Sequence, residues 1–158
     1  MKEGVTMDKR WIQFLYHFNG TRDFYACHDF LEEWWFEIGN PKNHEFVAFI
    51  QLAIGMYHFR RGKHKAGHDL LVKAKEKLLI NEKSLNQYGV NLTLLFTDLD
   101  NVIAASKANQ SYIDINILMK EELHAEVWQL CQENGCELFS HSNLQDDSLV
   151  NKHIHKHK

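Results

Sequence analysis

The chain has 158 residues, of which 44% are hydrophobic and 25% are charged, and its 18 Lys and Arg against 21 Asp and Glu give a net charge of −3. This composition is typical of one soluble globular domain, and it excludes a collagen, a disordered chain and a small disulfide-stabilised scaffold. The slight acidic excess disfavours nucleic-acid binding, and an odd number of cysteines favours reduced thiols in the cytoplasm over a secreted disulfide framework.

The first two predicted elements are helices, because apolar residues recur in them at steps of three and four. The first helix spans about 8–18 and ends before Asn19 and Gly20, residue types that tolerate a left-handed backbone. Thr21 is the expected N-cap of the second helix, which spans about 22–38 and ends ahead of the single proline of the chain.

The third helix is expected to begin after Asn43 and is apolar on nearly all sides over residues 46–59. Such a helix belongs at the buried centre of a bundle. This run of 14 residues without Lys, Arg, Asp or Glu is shorter than the ~20 residues that span a bilayer. The N-terminal residues mix charges without an apolar run, which is unlike a signal peptide. We therefore expect no membrane association and a cytoplasmic location.

Three further helices follow. The fourth spans about 63–79 and forms an antiparallel hairpin with the third, the fifth begins after a cap at Asn91, and the sixth spans about 120–134. Between the last two, the Ile-rich segment 112–119 alternates like a strand but has no partner strand, so an ordered linker is predicted.

The sequence therefore predicts an all-α fold, a compact single-domain bundle of about six helices around the central third helix. This domain is expected to comprise residues 1–140. Residues 141–158 are polar and rich in His and Lys, which predicts a disordered C-terminal tail.

Candidate functional residues lie on the second helix. At 100° per residue, His28 falls inside the apolar face, Glu32 on its flank and Glu33 toward solvent. His28 and Glu32 are four residues apart, so both lie on one side of the helix and can reach each other or a shared ion.

The third helix carries its few small and polar residues as one stripe: His44, Ala48, Gln51, Gly55, His58 and Gly62. If the second helix packs on this stripe, His28 and Glu32 meet His58 and Gln51. One hypothesis is a divalent metal site with His28, Glu32 and His58 as ligands, oriented by Gln51. The alternatives are a buried hydrogen-bonded network that fixes helix register without a ligand, and a small-molecule or general-base site.

Other polar residues have simpler interpretations. The basic run in 60–65 could bind phosphate, but basic residues at the end of a helix are more often solvated and complement the helix dipole. Cys131 and Cys136 are five residues apart and have no second cysteine pair, which argues against zinc. No phosphate-binding loop or nucleophile elbow is present.

The segments YACHDFLEEWW, residues 25–35, and FIQLAIGMYHFRRGKHKAGHDLLVKAKEKL, residues 49–78, resemble a bacterial and archaeal family, domain of unknown function 309. The first segment fits the H-x-x-x-E-x-x-[W/Y] pattern of that family. The resemblance, over roughly 11–80, implies an all-helical fold. It also implies a suggested metal site at His28 and Glu32, with Trp35 as the aromatic residue of the motif.

Two functional hypotheses follow. The first is a structural or interaction module without catalytic activity, in which the His and Glu side chains form a buried network and a protein partner or a second copy binds elsewhere. The alternative is a protein that binds a metal or small ligand, with metal-dependent hydrolysis as its chemistry if it is an enzyme.

Overall fold

The computed structural model describes residues 7–156. Over these residues the chain is helical, as predicted, and the α-helices are α1 Lys9–Tyr16, α2 Phe24–Glu37, α3 Glu45–Arg60, α4 His64–Ile80, α5 Leu92–Lys107, α6 Glu121–Glu133, α7 Asp147–Val150 and α8 Lys152–Lys156. A π-helical turn, His17–Thr21, continues α1, and a 3₁₀ turn, Ser84–Tyr88, precedes α5. Among the described residues, none of the helices has both the length and the apolar character needed to cross a membrane.

The helix starts differ from prediction at two points. Asp23 rather than Thr21 caps α2, accepting the N–H of Ala26 at 3.1 Å, because Arg22 takes a left-handed conformation with φ +62° that a helix cannot include. The cap of α3 is His44, the neighbour of the predicted Asn43. Asn91 caps α5 as predicted.

Helix α3 lies at the centre of the fold, as its apolar sequence predicts, and packs between α2 and α4. Its small residue Gly55 faces α4, where Gly67 lies opposite. A Cβ atom added to Gly67 would lie 2.8 Å from the backbone nitrogen of Phe59 and 2.9 Å from the carbonyl oxygen of Gly55. The close approach predicted from the small residues therefore occurs between α3 and α4, and not between α3 and α2.

The linker between α5 and α6 is extended and buried in part. Ile115 and Ile117 are buried, and the Asn19 side chain donates to the carbonyl of Ile117 and accepts its N–H, both at 2.9 Å. These two bonds give the linker the partner that a lone strand lacks, so it is ordered against the π-helical turn.

Two buried arginines join distant parts of the chain. Arg22, 2% exposed, donates to the carbonyls of Phe18, Ile115 and Ser140. Arg60, 6% exposed, donates to the carbonyl of Arg22 at 2.7 Å. Arg60 is therefore not part of a solvated helix end, as the basic run predicted, because its guanidinium satisfies backbone carbonyls inside the fold.

The C-terminal segment, residues 141–156, packs against α2 and α3 where the sequence predicts disorder. Arg60 donates to the Ser142 hydroxyl at 3.1 Å and to the carbonyl of Leu149 at 3.3 Å. Lys152 pairs with Asp23 on the opposite side of the groove that the segment forms with α2. A segment held by polar contacts shows no apolar periodicity in its sequence. Its polar composition therefore predicts a disordered tail, although the segment packs on the fold.

Candidate functional site

The candidate site is a cluster on the outer side of α2. One potential ligand atom from each of His28, Asp29 and Glu32 lies within 4.8 Å of the other two. The His28 side chain is 18% exposed and that of Asp29 is 53% exposed, so the cluster is open to solvent. Glu32 is half-buried and Glu33 is exposed, which confirms the facing that the helical wheel predicts.

The imidazole of His28 has a defined orientation. Its Nδ1 atom is hydrogen-bonded to the carbonyl oxygen of Tyr25, and a carbonyl can only accept, so Nδ1 carries a proton. The ring also lies edge-on to Tyr25, with centroids 5.0 Å apart. This leaves Nε2 directed at the carboxylate of Asp29, at 3.2 Å from Oδ1. A neutral imidazole would then place a lone pair against a carboxylate oxygen.

Asp29 is the site residue that sequence analysis missed. A helical wheel assigns it to the solvent side, and a residue next to His28 in sequence does not share its face. Its carboxylate nevertheless reaches back to the imidazole. The available signal was the spacing of three between Asp29 and Glu32, which makes the two carboxylates neighbours on the helix surface.

The other predicted ligand, His58, is not part of this cluster. It lies on α3 next to Tyr57, and its Nδ1 atom is buried without a hydrogen-bond partner among the described residues. Burial lowers the pKa of His58, and the positive charges of Arg61 and His153 lower it further. The neighbours of His58 are therefore Tyr57, Arg61 and His153, and not the residues of the His28 cluster.

The two predicted supporting residues lie on different helices. Gln51 is on α3, and its Oε1 atom is buried without a donor among the residues that the structure describes. Trp35 donates its indole N–H to the carbonyl of Pro41 at 2.9 Å. This hydrogen bond fixes Trp35 to the turn that connects α2 to α3.

A cavity of about 610 Å³ adjoins the cluster. It lies between α2 and the C-terminal segment, and its lining residues are Asp23, Tyr25, Ala26, Asp29, Asp146, Ser148, Leu149 and Lys152. Three carboxylates face it against one lysine, so a cation or a cationic ligand suits its charge. Asp29 belongs to both the cavity and the cluster, which makes the two one continuous site.

The C-terminal segment is anchored beside this cavity. The hydroxyl of Tyr57 is hydrogen-bonded to the side chain of His153 and accepts its backbone N–H at 3.0 Å. Arg61 donates to the side-chain oxygen of Asn151 at 3.0 Å. These contacts with α3 keep the far wall of the cavity in place.

The donor set fits a divalent cation. One imidazole nitrogen and two carboxylate oxygens are ligands that Zn²⁺, Mn²⁺ and Fe²⁺ accept. Metal-binding histidines usually donate their second ring N–H to a carbonyl or carboxylate, which fixes the tautomer and the ring orientation. The bond from His28 to Tyr25 is of this kind.

Comparisons with known proteins find similarity to a domain of unknown function and to an uncharacterized protein. Residues 11–70 match the model of a family described as Domain of unknown function (DUF309). An uncharacterized protein of Bacillus subtilis (strain 168), YpuF, is 28% identical over 147 residues, which are 92% of this chain and 84% of the relative. No solved structure matches the chain. The matched residues, 11–70, include His28, Asp29 and Glu32.

Proposed function

We propose that this protein is a helical binding module that holds a divalent cation between His28, Asp29 and Glu32. The observation that carries the proposal is the contact of His28 Nε2 with Asp29 Oδ1 at 3.2 Å, made while Nδ1 already donates to Tyr25. Two lone pairs at this distance repel unless a proton or a cation lies between them. A cation joins these two atoms and takes Glu32, one turn further along α2, as a third ligand.

The open side of the cluster gives the site its second property. Three protein ligands leave coordination positions free, as in metal sites that bind a further molecule. Asp29 also lines the cavity of about 610 Å³, so a small ligand lying there would be next to the ion. A bound divalent cation would supply Lewis acidity, and this chain would supply the orientation of His28 through Tyr25 and the acidic wall of the cavity.

The competing interpretation is a protonated His28 that pairs with Asp29 and needs no ion. Isothermal titration with ZnCl₂ and with MnCl₂ at about pH 7.5, where an ordinary imidazole is neutral, separates the two. The chain tested carries His155→Asn and His157→Asn, which removes two histidines near the C-terminus as alternative metal ligands. We expect about one equivalent of metal, with affinity reduced about tenfold or more by Glu32→Ala and by His28→Ala.

Glu33→Ala is the matched control, since Glu33 is the exposed neighbour of Glu32 on the same helix. It is expected to keep the affinity of the parent chain, and circular dichroism checks that each variant is folded. An absence of stoichiometric binding of both metals would leave the ion pair as the function of this cluster. An equal loss with Glu33→Ala and Glu32→Ala would show that the binding is nonspecific.

A further inference from the structure

The two cysteines near the end of α6 are brought together by the way that helix ends. Gly135 is left-handed with φ +69°, the N–H of Cys136 donates to the carbonyl of Cys131 at 3.0 Å, and that of Gly135 to Gln132 at 3.4 Å. These are the bonds of a Schellman motif, in which the side chains at the positions of Cys131 and Cys136 approach each other. The spacing of five that argues against zinc is therefore the spacing that pairs two thiols here.

Both sulfur atoms meet at Gly20 in the π-helical turn. A Cβ atom added to Gly20 would lie 2.8 Å from Sγ of Cys131 and 3.1 Å from Sγ of Cys136. The missing side chain of Gly20 thus provides the space that the two thiols share. The ring of Tyr16 borders the same space, 3.8 Å from that Cβ position.

The two thiols differ in accessibility. Cys131 is fully buried, and Cys136 is partly exposed. Burial, followed by the hydrogen bond and charge of Cys136, raises the pKa of Cys131 to about 12. A thiol with so high a pKa is a poor first nucleophile, because the thiolate is the reactive form. Cys136 is therefore the thiol that reacts first with an oxidant. Cys131 is the neighbouring thiol that can then form the disulfide with it.

We infer that Cys131 and Cys136 form a reversible intramolecular disulfide when the protein meets a hydroperoxide. The sulfur of Cys136 attacks the terminal peroxide oxygen, the O–O bond breaks, and an alcohol, or water from hydrogen peroxide, leaves with the thiol proton. The product is a sulfenic acid on Cys136. The thiol of Cys131 then forms the S–S bond, and the sulfenic oxygen leaves as water with the proton of Cys131. Two thiols lose two electrons in total, and one hydroperoxide gains them.

The surroundings hold the pair in place for this step. The loop after Cys136 is fixed to the same π-helical turn, since the N–H of Phe139 donates to the carbonyl of Asn19 at 2.7 Å. The hydroxyl of Ser140 donates to the carbonyl of Gly20 at 3.0 Å. These bonds hold the loop that follows Cys136 against the turn that contains Gly20.

The test uses the full chain treated with hydrogen peroxide in slight molar excess. We expect a mass loss of about 2 Da, which dithiothreitol reverses, and a peptide map that contains Cys131 linked to Cys136. Cys27 is the internal control, because it is buried and its thiol donates to the carbonyl of Phe14 at 3.5 Å. After denaturation it should be the single thiol that iodoacetamide still labels.

Cys131→Ser is the matched variant, and its Cys136 should gain oxygen instead of forming a disulfide. Three results would overturn the inference: oxygen addition to Cys136 in the unchanged chain, a disulfide between two chains or with Cys27, or three thiols that stay reduced. The peptide map of the unchanged chain decides among them, so the inference remains testable even if Cys131→Ser does not fold.

Discussion

The α3–α4 interface and the C-terminal seam are built in opposite ways. The C-terminal seam is the set of contacts among Arg22, Arg60, Asp114 and Ser142. The interface joins two helices that are adjacent in sequence, through the close contact of Gly55 with Gly67. The seam joins residues up to 82 positions apart by hydrogen bonds. The interface depends on glycines, whose lack of a side chain lets the two helices approach closely. The seam depends on polar side chains that form hydrogen bonds with groups distant in sequence.

Charged side chains inside the fold form the seam. Asp114 accepts the N–H and the hydroxyl of Ser142, both at 2.6 Å, and the same hydroxyl receives a hydrogen bond from Arg60. Burial lowers the pKa of both Arg22 and Arg60, and the negative charge of Asp114 opposes this. An arginine remains charged even so. Buried charges of this kind stabilise a structure only while their hydrogen bonds are complete.

The largest expected effect is therefore at Arg22. Arg22→Ala removes the donors to the carbonyls of Phe18, Ile115 and Ser140 and leaves these acceptors unsatisfied. We expect a loss of about 3 kcal/mol or more in the free energy of unfolding, measured by urea denaturation with circular dichroism.

Arg61→Ala is the control for this change. Arg61 is half-buried and, among the described residues, its side chain donates one hydrogen bond, to Asn151, so a loss below about 1 kcal/mol is expected. If Arg22→Ala were no more damaging than Arg61→Ala, the guanidinium of Arg22 would not hold the seam together.

The second prediction tests the interface. Gly67→Ala places a methyl group 2.8 Å from the backbone nitrogen of Phe59, and backbone atoms cannot move aside as the end of a side chain can. We expect a loss of about 1–3 kcal/mol from overpacking, although alanine favours a helix by about 1 kcal/mol over glycine.

Asp69→Ala is a matched control on the same helix, because its side chain is exposed. Its unfolding free energy should change by about 0.5 kcal/mol at most. A Gly67→Ala chain more stable than the parent would show that α3 and α4 can separate without cost, and that the small residues are not what sets their distance.

The same contrast explains what could be predicted from sequence. Helices α1 to α6 follow from apolar residues at helical spacing, which is a local property of the chain. The same spacing predicts the stripe with Gly55, but the partner considered for it is the second helix, whereas Gly55 faces α4 in the structure. A helical wheel shows which face is small, and not which neighbour occupies it. Gly67, a glycine within the fourth helix, was the signal for the partner.

The candidate site divides in the same way. The grouping of His28 with Glu32 follows from their spacing of four on one helix. The packing of the C-terminal segment on α2 does not, because the pair of Lys152 with Asp23 spans 129 positions and involves two polar residues. Hydrophobic patterning carries no information on such a pair, so the far wall of the cavity was predicted as a disordered tail.

The smallest expected effect is on pH dependence, and it tests whether acid weakens the packing of the C-terminal segment on α3 while the α3–α4 interface is unaffected. Burial, with the charges of Arg61 and His153, lowers the pKa of His58 in the folded state. The unfolded chain then binds more protons than the folded chain near and below the ordinary histidine pKa of about 6.5, so His58 makes stability fall as the pH drops through this value.

His58→Gln removes this contribution, and we expect a smaller loss of unfolding free energy between about pH 7.5 and 5.5 than in the parent chain. His141→Gln, at an exposed histidine, is the control and should keep the parent pH dependence. Hydrogen exchange then locates the effect. Once the data are corrected for the intrinsic exchange rate, which itself falls with pH, acid should reduce the protection of the C-terminal segment, which His153 joins to Tyr57, before that of α4. An equal loss of protection in both would mean that protonation of His58 acts on the whole core, and that the two regions are one cooperative unit.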